Sequence, residues 1–350
     1  MKLRVLAVAA VVAAALSLAA TTALAADHGP RPANRPAGPR HVRVLVLTMF
    51  SGETQPWLAN LKLPVTVTVP GAYSPLHCSV GGLCVTMIGE GKSNAGVSVT
   101  AILADRRLSF QGAYFMTAGI AGTTPSVGTL GFAAWARYIA DWDLGHHLLP
   151  RTAPNLPFGY EPLSPTDYAE VFHLNASLAR TAYQVTRHVR LADSRQAERA
   201  RARYPGQAGK KPFVALCDTL ASDDFWAGAT LSKEAHYIMS LDTHGHGQYC
   251  TTEQEDSAVA EALSRFGYLD RYLDLRTASD FDQPYPGETA EQLLQTFPGY
   301  TISTENAYRV GVAMARYLMT HHPHLAPGGT GQIPAVSPTR PRSATQPLTG

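Results

Sequence analysis

The stretch Leu83-Cys84-Val85-Thr86-Met87-Ile88 runs through Gly89-Glu90-Gly91 into Asn94-Ala95-Gly96-Val97-Ser98-Val99-Thr100-Ala101-Ile102-Leu103. Its first six residues have the length and apolar character of a short strand, and the two glycines mark a turn. Asn94 to Leu103 then carries small and apolar residues at helical spacing. Strand, glycine turn and helix make the building unit of a layered α/β sheet. The alternation continues on both sides. Upstream, His41–Met49 and Pro64–Val69 predict strands. Downstream, strands are predicted at Tyr114–Thr117, Pro212–Leu216, Tyr237–Leu241 and Leu273–Thr277. Helices are predicted over Ser164–Tyr204, with Ser164 as cap before Pro165, and over Ser257–Phe266 and Thr304–Thr320. The expected fold class is α/β, with a central, largely buried sheet and a ligand site at strand ends.

The flanks are different in kind. Lys2 and Arg4 precede an apolar run from Val5 to Ala20 and then Ala23-Leu24-Ala25, which predicts a secretory signal peptide over 1–25. A Pro- and Arg-rich linker over 26–40, a domain over 41–320 and a disordered tail over 321–350 complete the expected organisation. This places the chain outside the cytoplasm, as a secreted, periplasmic or cell-surface protein. The domain holds 22 Lys and Arg against 26 Asp and Glu, a balance without the footprint of a nucleic-acid partner. No second stretch approaches 18 consecutive apolar residues, so no integral membrane span is expected in the mature chain. Four cysteines suit an oxidising compartment. Cys78 and Cys84 flank a plausible hairpin loop and are expected to pair, whereas pairing of Cys217 with Cys250 stays open against buried free thiols.

Several of the turns carry motifs. Gly89-Glu90-Gly91-Lys92-Ser93-Asn94-Ala95 resembles the Gly-x-Gly-Lys-x-Asn-Ala turn of nucleoside phosphorylases and nucleosidases, and Ala118-Gly119-Ile120-Ala121-Gly122 resembles their Gly-x-Ala-Gly-Gly loop. Gln254-Glu255-Asp256-Ser257-Ala258 is similar to their Met-Glu-x-x-Ala segment, and Arg276-Thr277-Ala278-Ser279-Asp280 to Arg-x-x-Ser-Asp. Two longer strings, Tyr249 to Asp256 and Arg276 to Gly287, resemble the purine nucleoside permease family more specifically. The resemblance implies a three-layer α/β/α nucleoside phosphorylase-like fold with a central mixed sheet. It also implies a purine nucleoside as small-molecule partner and a role in nucleoside uptake. A homo-oligomer is expected by analogy alone.

The same resemblance assigns chemistry to residues. Asp280 matches the acid that protonates a departing purine at N7, a step that needs a carboxyl whose pKa is raised by burial. The competing reading is a strand-end turn residue. Asp282 is expected to be a turn residue before Pro284. Glu255 matches the carboxylate that accepts both ribose hydroxyls, against the alternative of an exposed first-turn glutamate. Gln254 replaces the methionine common in the wider superfamily. Ser279 and Arg276 are expected to orient the acid's loop, Gly119 and Ala121 to border the substrate, and Phe225 or Trp226 to stack on the base.

The nucleophile divides the rival reactions. Phosphorolysis needs cations, normally arginine, to hold phosphate. The loop Thr48-Met49-Phe50-Ser51-Gly52-Glu53 has none, nor does the neighbourhood of Thr117. Glu53 instead falls where nucleosidases of the superfamily place a water-activating glutamate, with a solvated loop residue as the plain alternative. Hydrolysis is therefore favoured, with a non-catalytic binding protein and a phosphorylase as alternatives. No cofactor or metal is expected. His244-Gly245-His246 lacks further ligands at zinc spacing, His146-His147 is expected to be solvated, and Asp141 with Asp143 to form a turn. Asn175-Ala176-Ser177 meets the glycosylation pattern but falls inside the predicted helix.

Overall fold

The computed structural model describes residues 38–163, 171–321 and 323. The expected signal peptide, nearly all of the linker, the cap at Ser164 and almost all of the tail lie outside those residues. Arg40, the last linker residue, already pairs with Leu108 in a short parallel ladder.

The described body is built on one mixed sheet of 12 strands. In chain order these are β1 Val44–Thr48, β2 Val65–Val67, β3 Leu76–Cys78, β4 Leu83–Met87, β5 Tyr114–Thr123 and β6 Ala133–Trp135. They continue with β7 Tyr138–Asp141, β8 Val171–His173, β9 Val214–Leu216, β10 Asp218–Ala221, β11 Tyr249–Glu253 and β12 Tyr272–Phe281. The helices are α1 Ser51–Asn60, α2 Lys92–Ala104, α3 Ala176–Thr186, α4 Arg195–Arg201, α5 Ala229–Asp242, α6 Asp256–Arg265, α7 Ala290–Leu293 and α8 Tyr300–Thr320. β1 lies parallel between β4 and β5, and β5 runs parallel to β12 along most of its length. β11 is antiparallel to β5, and β6 is antiparallel to β12.

β1 shows why the sheet is covered on both faces. Side chains alternate along a strand. Leu45 and Leu47 pack with Val99 and Ile102 of α2 and with Val259 and Leu263 of α6. Val44 and Val46 pack instead with Trp57 of α1, Leu178 of α3, and Val310 and Met314 of α8. A strand buried on both faces needs apolar residues at every position, which is the uninterrupted run read in the sequence. The three-layer arrangement and the mixed central sheet are thus as expected.

Two elements differ from the sequence reading. Tyr237–Leu241 is no strand but the last turns of α5, whose buried residues Ala235, Ile238, Met239 and Asp242 recur at helical spacing. Five apolar-rich residues cannot be told from a helix segment by pattern alone. Ser164–Tyr204 is not one helical stretch. Its described part holds β8, α3 and α4, with α3 ending at Thr186 and α4 capped by Ser194. Asn175 is the N-cap of α3, its side chain accepting from the Ser177 and Leu178 backbone N–H groups at 3.1 Å each. Both disulfides form: Cys78–Cys84 closes the β3–β4 hairpin, and Cys217–Cys250 ties the start of β10 to β11.

Candidate active site

A cavity of about 280 Å³ opens at the carboxyl ends of the parallel strands, where open α/β sheets bind ligands. Four segments build most of it: the β1–α1 junction with Met49, Phe50 and Glu53; residues 120–122 of β5; the β11–α6 junction with Glu253, Gln254 and Glu255; and Arg276, Ser279 and Asp280 of β12. Phe225 and Trp226, after β10, and Phe297 and Tyr300, before and at the start of α8, line the remainder. Every expected site residue except Gly119 lines the cavity.

Gly119 lies directly beneath it. A Cβ there would collide with the Met49 side chain, and would lie 2.8 Å from Glu53 Oε1 and 3.0 Å from Arg276 Nη1. Gly119→Ala is expected to destabilise the fold by about 1–3 kcal/mol through this overpacking, measured as thermal unfolding. An unchanged melting midpoint would show that the three side chains yield freely.

Glu53 is buried in the first turn of α1, 1% exposed, which excludes the solvated loop reading. The backbone N–H groups of Met49 and Ile120 donate to its two oxygens at 2.7 Å each. Burial nevertheless pushes its pKa up to about 8, against the pull of Arg276 and those two donors. Asp280 is 3% exposed. Burial raises its pKa to about 7, against a hydrogen bond from Ser279. The Ser279 hydroxyl lies 2.5 Å from Asp280 Oδ1 and 3.2 Å from the Ala121 carbonyl oxygen. A Cβ on Gly122 would crowd Thr252 Cγ2 at 3.1 Å and touch Asp280 Oδ2 at 3.4 Å. Asp282 lies in the bend before Pro284, as expected, yet its side chain is enclosed. It is 1% exposed and accepts from the hydroxyls of Ser232 and Tyr249 at 2.8 Å each.

Arg276 does more than orient a loop. Its guanidinium, 2% exposed, donates to Asp256 at 2.7 Å, Glu253 at 2.8 Å, Glu255 at 3.0 Å and the Ile120 carbonyl at 3.0 Å. Burial raises the pKa of Glu255, opposed by Arg276 and by the Gly91 N–H, which donates to its other oxygen at 2.9 Å. Gly91 can place that N–H because its φ is +83°, a conformation other residues rarely adopt. Glu255 is thus the buried N-cap residue of α6 rather than an exposed first-turn glutamate. Glu253 was absent from the expected site. Burial and then Asp256 push its carboxyl well above the usual range, and its Oε1 has no hydrogen-bond partner among the described residues.

Both expected aromatics line the cavity, in different ways. Trp226 is buried and stacked on Trp142, with ring centroids 5.2 Å apart. Phe225 is exposed and meets Phe297 edge-on at 5.7 Å. Phe50 and Tyr300 stack across the opening at 6.1 Å. Sequence reasoning missed Phe297 and Tyr300 because no motif precedes α8. Gln254 hands its side-chain N–H to the Asp223 carbonyl at 2.6 Å, bracing the β10 loop. Lys92 of the glycine turn is clamped between Asp141 and Asp143 at 2.7 and 2.6 Å. Asp141 also closes its turn by accepting from the N–H groups of Asp143 and Leu144. His146 and His147 are exposed, as expected, and His147 also bonds the Trp142 carbonyl oxygen at 2.7 Å.

The sequence pattern of purine nucleoside permeases (NUP) matches residues 41–324. The chain belongs to the purine nucleoside permease family. A probable purine nucleoside permease of Schizosaccharomyces pombe is 29% identical over 311 residues, covering 80% of this chain and 89% of that protein. Two solved structures share the fold. Helicobacter pylori futalosine hydrolase matches at a TM-score of 0.55 and 16% identity, covering 79% of this chain and 98% of its own. The 5′-methylthioadenosine/S-adenosylhomocysteine nucleosidase of the same organism matches at 0.55 and 15%, covering 80% and 99%. Purine nucleoside permeases therefore include a chain with the nucleoside phosphorylase-like α/β fold. Among its described residues no helix is long and apolar enough to cross a membrane.

Proposed function

We propose that this chain binds a purine nucleoside outside the cytoplasm and hydrolyses its N-glycosidic bond, supplying free base and sugar for uptake. The observation that carries this reading is that the cavity wall holds no cation free to bind phosphate. Six acidic residues line it, Glu53, Glu90, Asp224, Glu253, Glu255 and Asp280, against one cation, Arg276, whose guanidinium is already engaged by three carboxylates. Such a wall gives phosphate no free cation to bind, and its ionised carboxylates favour the positive charge that develops on the sugar ring as the base departs.

In the proposed step Asp280 gives its proton to N7 as the C1′–N9 bond breaks, so the base leaves neutral. Glu255 accepts the ribose 2′- and 3′-hydroxyls, held in place by Arg276 and Gly91. Glu53 takes a proton from water as its oxygen bonds to C1′. Base and ribose leave, and solvent moves one proton from Glu53 back to Asp280. Trp226 and Phe225 supply flat faces for the base. The domain division, secretion after cleavage near Ala25 and assembly into an oligomer remain parts of this proposal.

Incubation with inosine, adenosine and guanosine is expected to release base equally with and without phosphate, free ribose being the second product. Strict phosphate dependence would sink Glu53 as water activator. Saturable binding without release across the panel would instead leave a carrier-side binding protein, the reading that the relatives' name favours.

A further inference from the structure

The segment from Arg180 to Lys211 contains nine Lys and Arg but two acidic residues, Asp193 and Glu198. The whole span 41–320 has 22 against 26, which leaves 13 against 24 for everything else. Charge is thus segregated along this chain, and the segment runs through α3, which packs beside α8 against the sheet, and through α4.

Both acids in the segment are consumed locally. Asp193 pairs with buried Arg201 at 2.7 Å and with Lys211 at 3.5 Å, and Glu198 pairs with Lys211 at 2.8 Å. Arg203 is spent on Tyr285, bonded to its hydroxyl at 2.9 Å with its guanidinium 5.1 Å from the ring centroid. Arg180, Arg187, Arg190, Arg195 and Arg199 are exposed. None of the five has an acidic partner within 4.0 Å among the described residues. Arg180 and Arg187 are seven residues apart, two helical turns on one side, and Arg195 and Arg199 are four apart. Ala197 and Arg201 are the buried residues of α4, so Arg195 and Arg199 face outward. The connection between the helices is fixed to α8. Asn306 bonds the Ala192 N–H at 2.6 Å and its carbonyl at 3.1 Å, and Arg309 donates to the Arg190 carbonyl at 3.1 Å.

We infer that this arginine face docks the protein on an anionic phospholipid bilayer. Guanidinium forks suit phosphodiester oxygens, and basic residues near an anionic leaflet add their attractions. A bilayer touches one face only. A nucleic acid would extend beyond the face onto the acidic remainder, and the segment's two tyrosines are not free to stack on bases, since Tyr183 is half-buried and Tyr204 buried.

The test is co-sedimentation of the full chain with phosphatidylcholine vesicles, with and without phosphatidylglycerol, at low and high salt. The expected result is additional binding to the anionic vesicles that high salt abolishes. Each neutralised arginine is expected to weaken that additional binding by about fivefold, so the combined Arg180→Gln, Arg187→Gln, Arg190→Gln, Arg195→Gln and Arg199→Gln variant should lose it. A control changing Lys62, Arg106, Arg151 and Lys233 to Gln should keep it, and melting curves check that both variants fold. Equal binding to neutral and anionic vesicles, or salt-insensitive binding, overturns the inference without recourse to any variant. Unchanged binding by a folded five-arginine variant, or binding to an RNA oligonucleotide but not to vesicles, overturns it as well.

Discussion

Asp280→Asn is expected to slow base release by about 10²–10⁴ while leaving the fold intact, because the amide is isosteric and can still accept the Ser279 hydroxyl. The rate of the parent should also trace a bell in pH. Asp280 must be protonated, a fraction that shrinks above about 7. Glu53 must be ionised, a fraction that shrinks below about 8. Activity therefore peaks between the two values and declines below about 7 and above about 8. Because the acid has the lower pKa, fewer than about one molecule in ten carries the productive pair of protonation states at the optimum. Asp280→Asn should abolish the fall on the alkaline side, and Glu53→Gln the fall on the acid side. Measuring kcat/KM against pH for all three proteins checks both assignments. A variant at position 280 that keeps the parent's rate would remove it from the chemistry.

Arg276→Met is expected to be the most destabilising single change in the cavity wall. It leaves Glu253, Glu255 and Asp256 buried without their shared cation, and breaking a buried pair in this way costs about 3–5 kcal/mol. For a domain of this size that corresponds to a fall in melting temperature of about 10 °C. The pH dependence gives the mechanism its signature. Without the guanidinium, the folded-state pKa values of Glu253 and Glu255 rise further above their unfolded values, and Asp256 loses the partner that holds its pKa down. The folded variant then holds protons that its unfolded chain has lost, and its stability drops as pH increases. The melting difference between parent and variant should therefore be smaller at pH 5 than at pH 8. An equal difference at both pH values would point to lost packing instead of unpaired charge.

What could be read in the sequence follows from how narrowly each position is constrained. Gly91 and Gly119 were visible because a positive φ and a close approach exclude other residues, and such constraints recur as motifs. Glu255 and Asp280 stood next to them in short strings. Glu53 was visible only by its distance from the end of β1. The helix around it, α1, was not, because Gly52 and Pro56 are poor helix formers and tertiary packing of Trp57 outweighs them. Arg276 could be located but not understood. Its partners lie on β11 and α6, some 20 residues away, and no local pattern announces that three carboxylates converge on it. Phe297 reaches the cavity from the loop before α8 and Tyr300 from the first residue of that helix, positions that only the packing of α8 determines. Asp282 does sit in the bend before Pro284, but nothing local announces that Ser232 and Tyr249 draw its side chain inside.

The cap of α3 bears on how the protein is made. Asn175 is 2% exposed and holds the first turn of its helix through its side-chain oxygen, yet with Ser177 it forms an acceptor site for N-linked sugar. Oligosaccharide transfer acts on the emerging chain, before that amide is enclosed. A sugar attached there would occupy space that the folded protein fills with its own side chains, so modified chains would stall short of the closed core. Expression in a host that oxidises cysteines but adds no N-glycans avoids this competition. In a glycosylating host, Asn175→Asp would preserve the cap's acceptor and raise the folded yield.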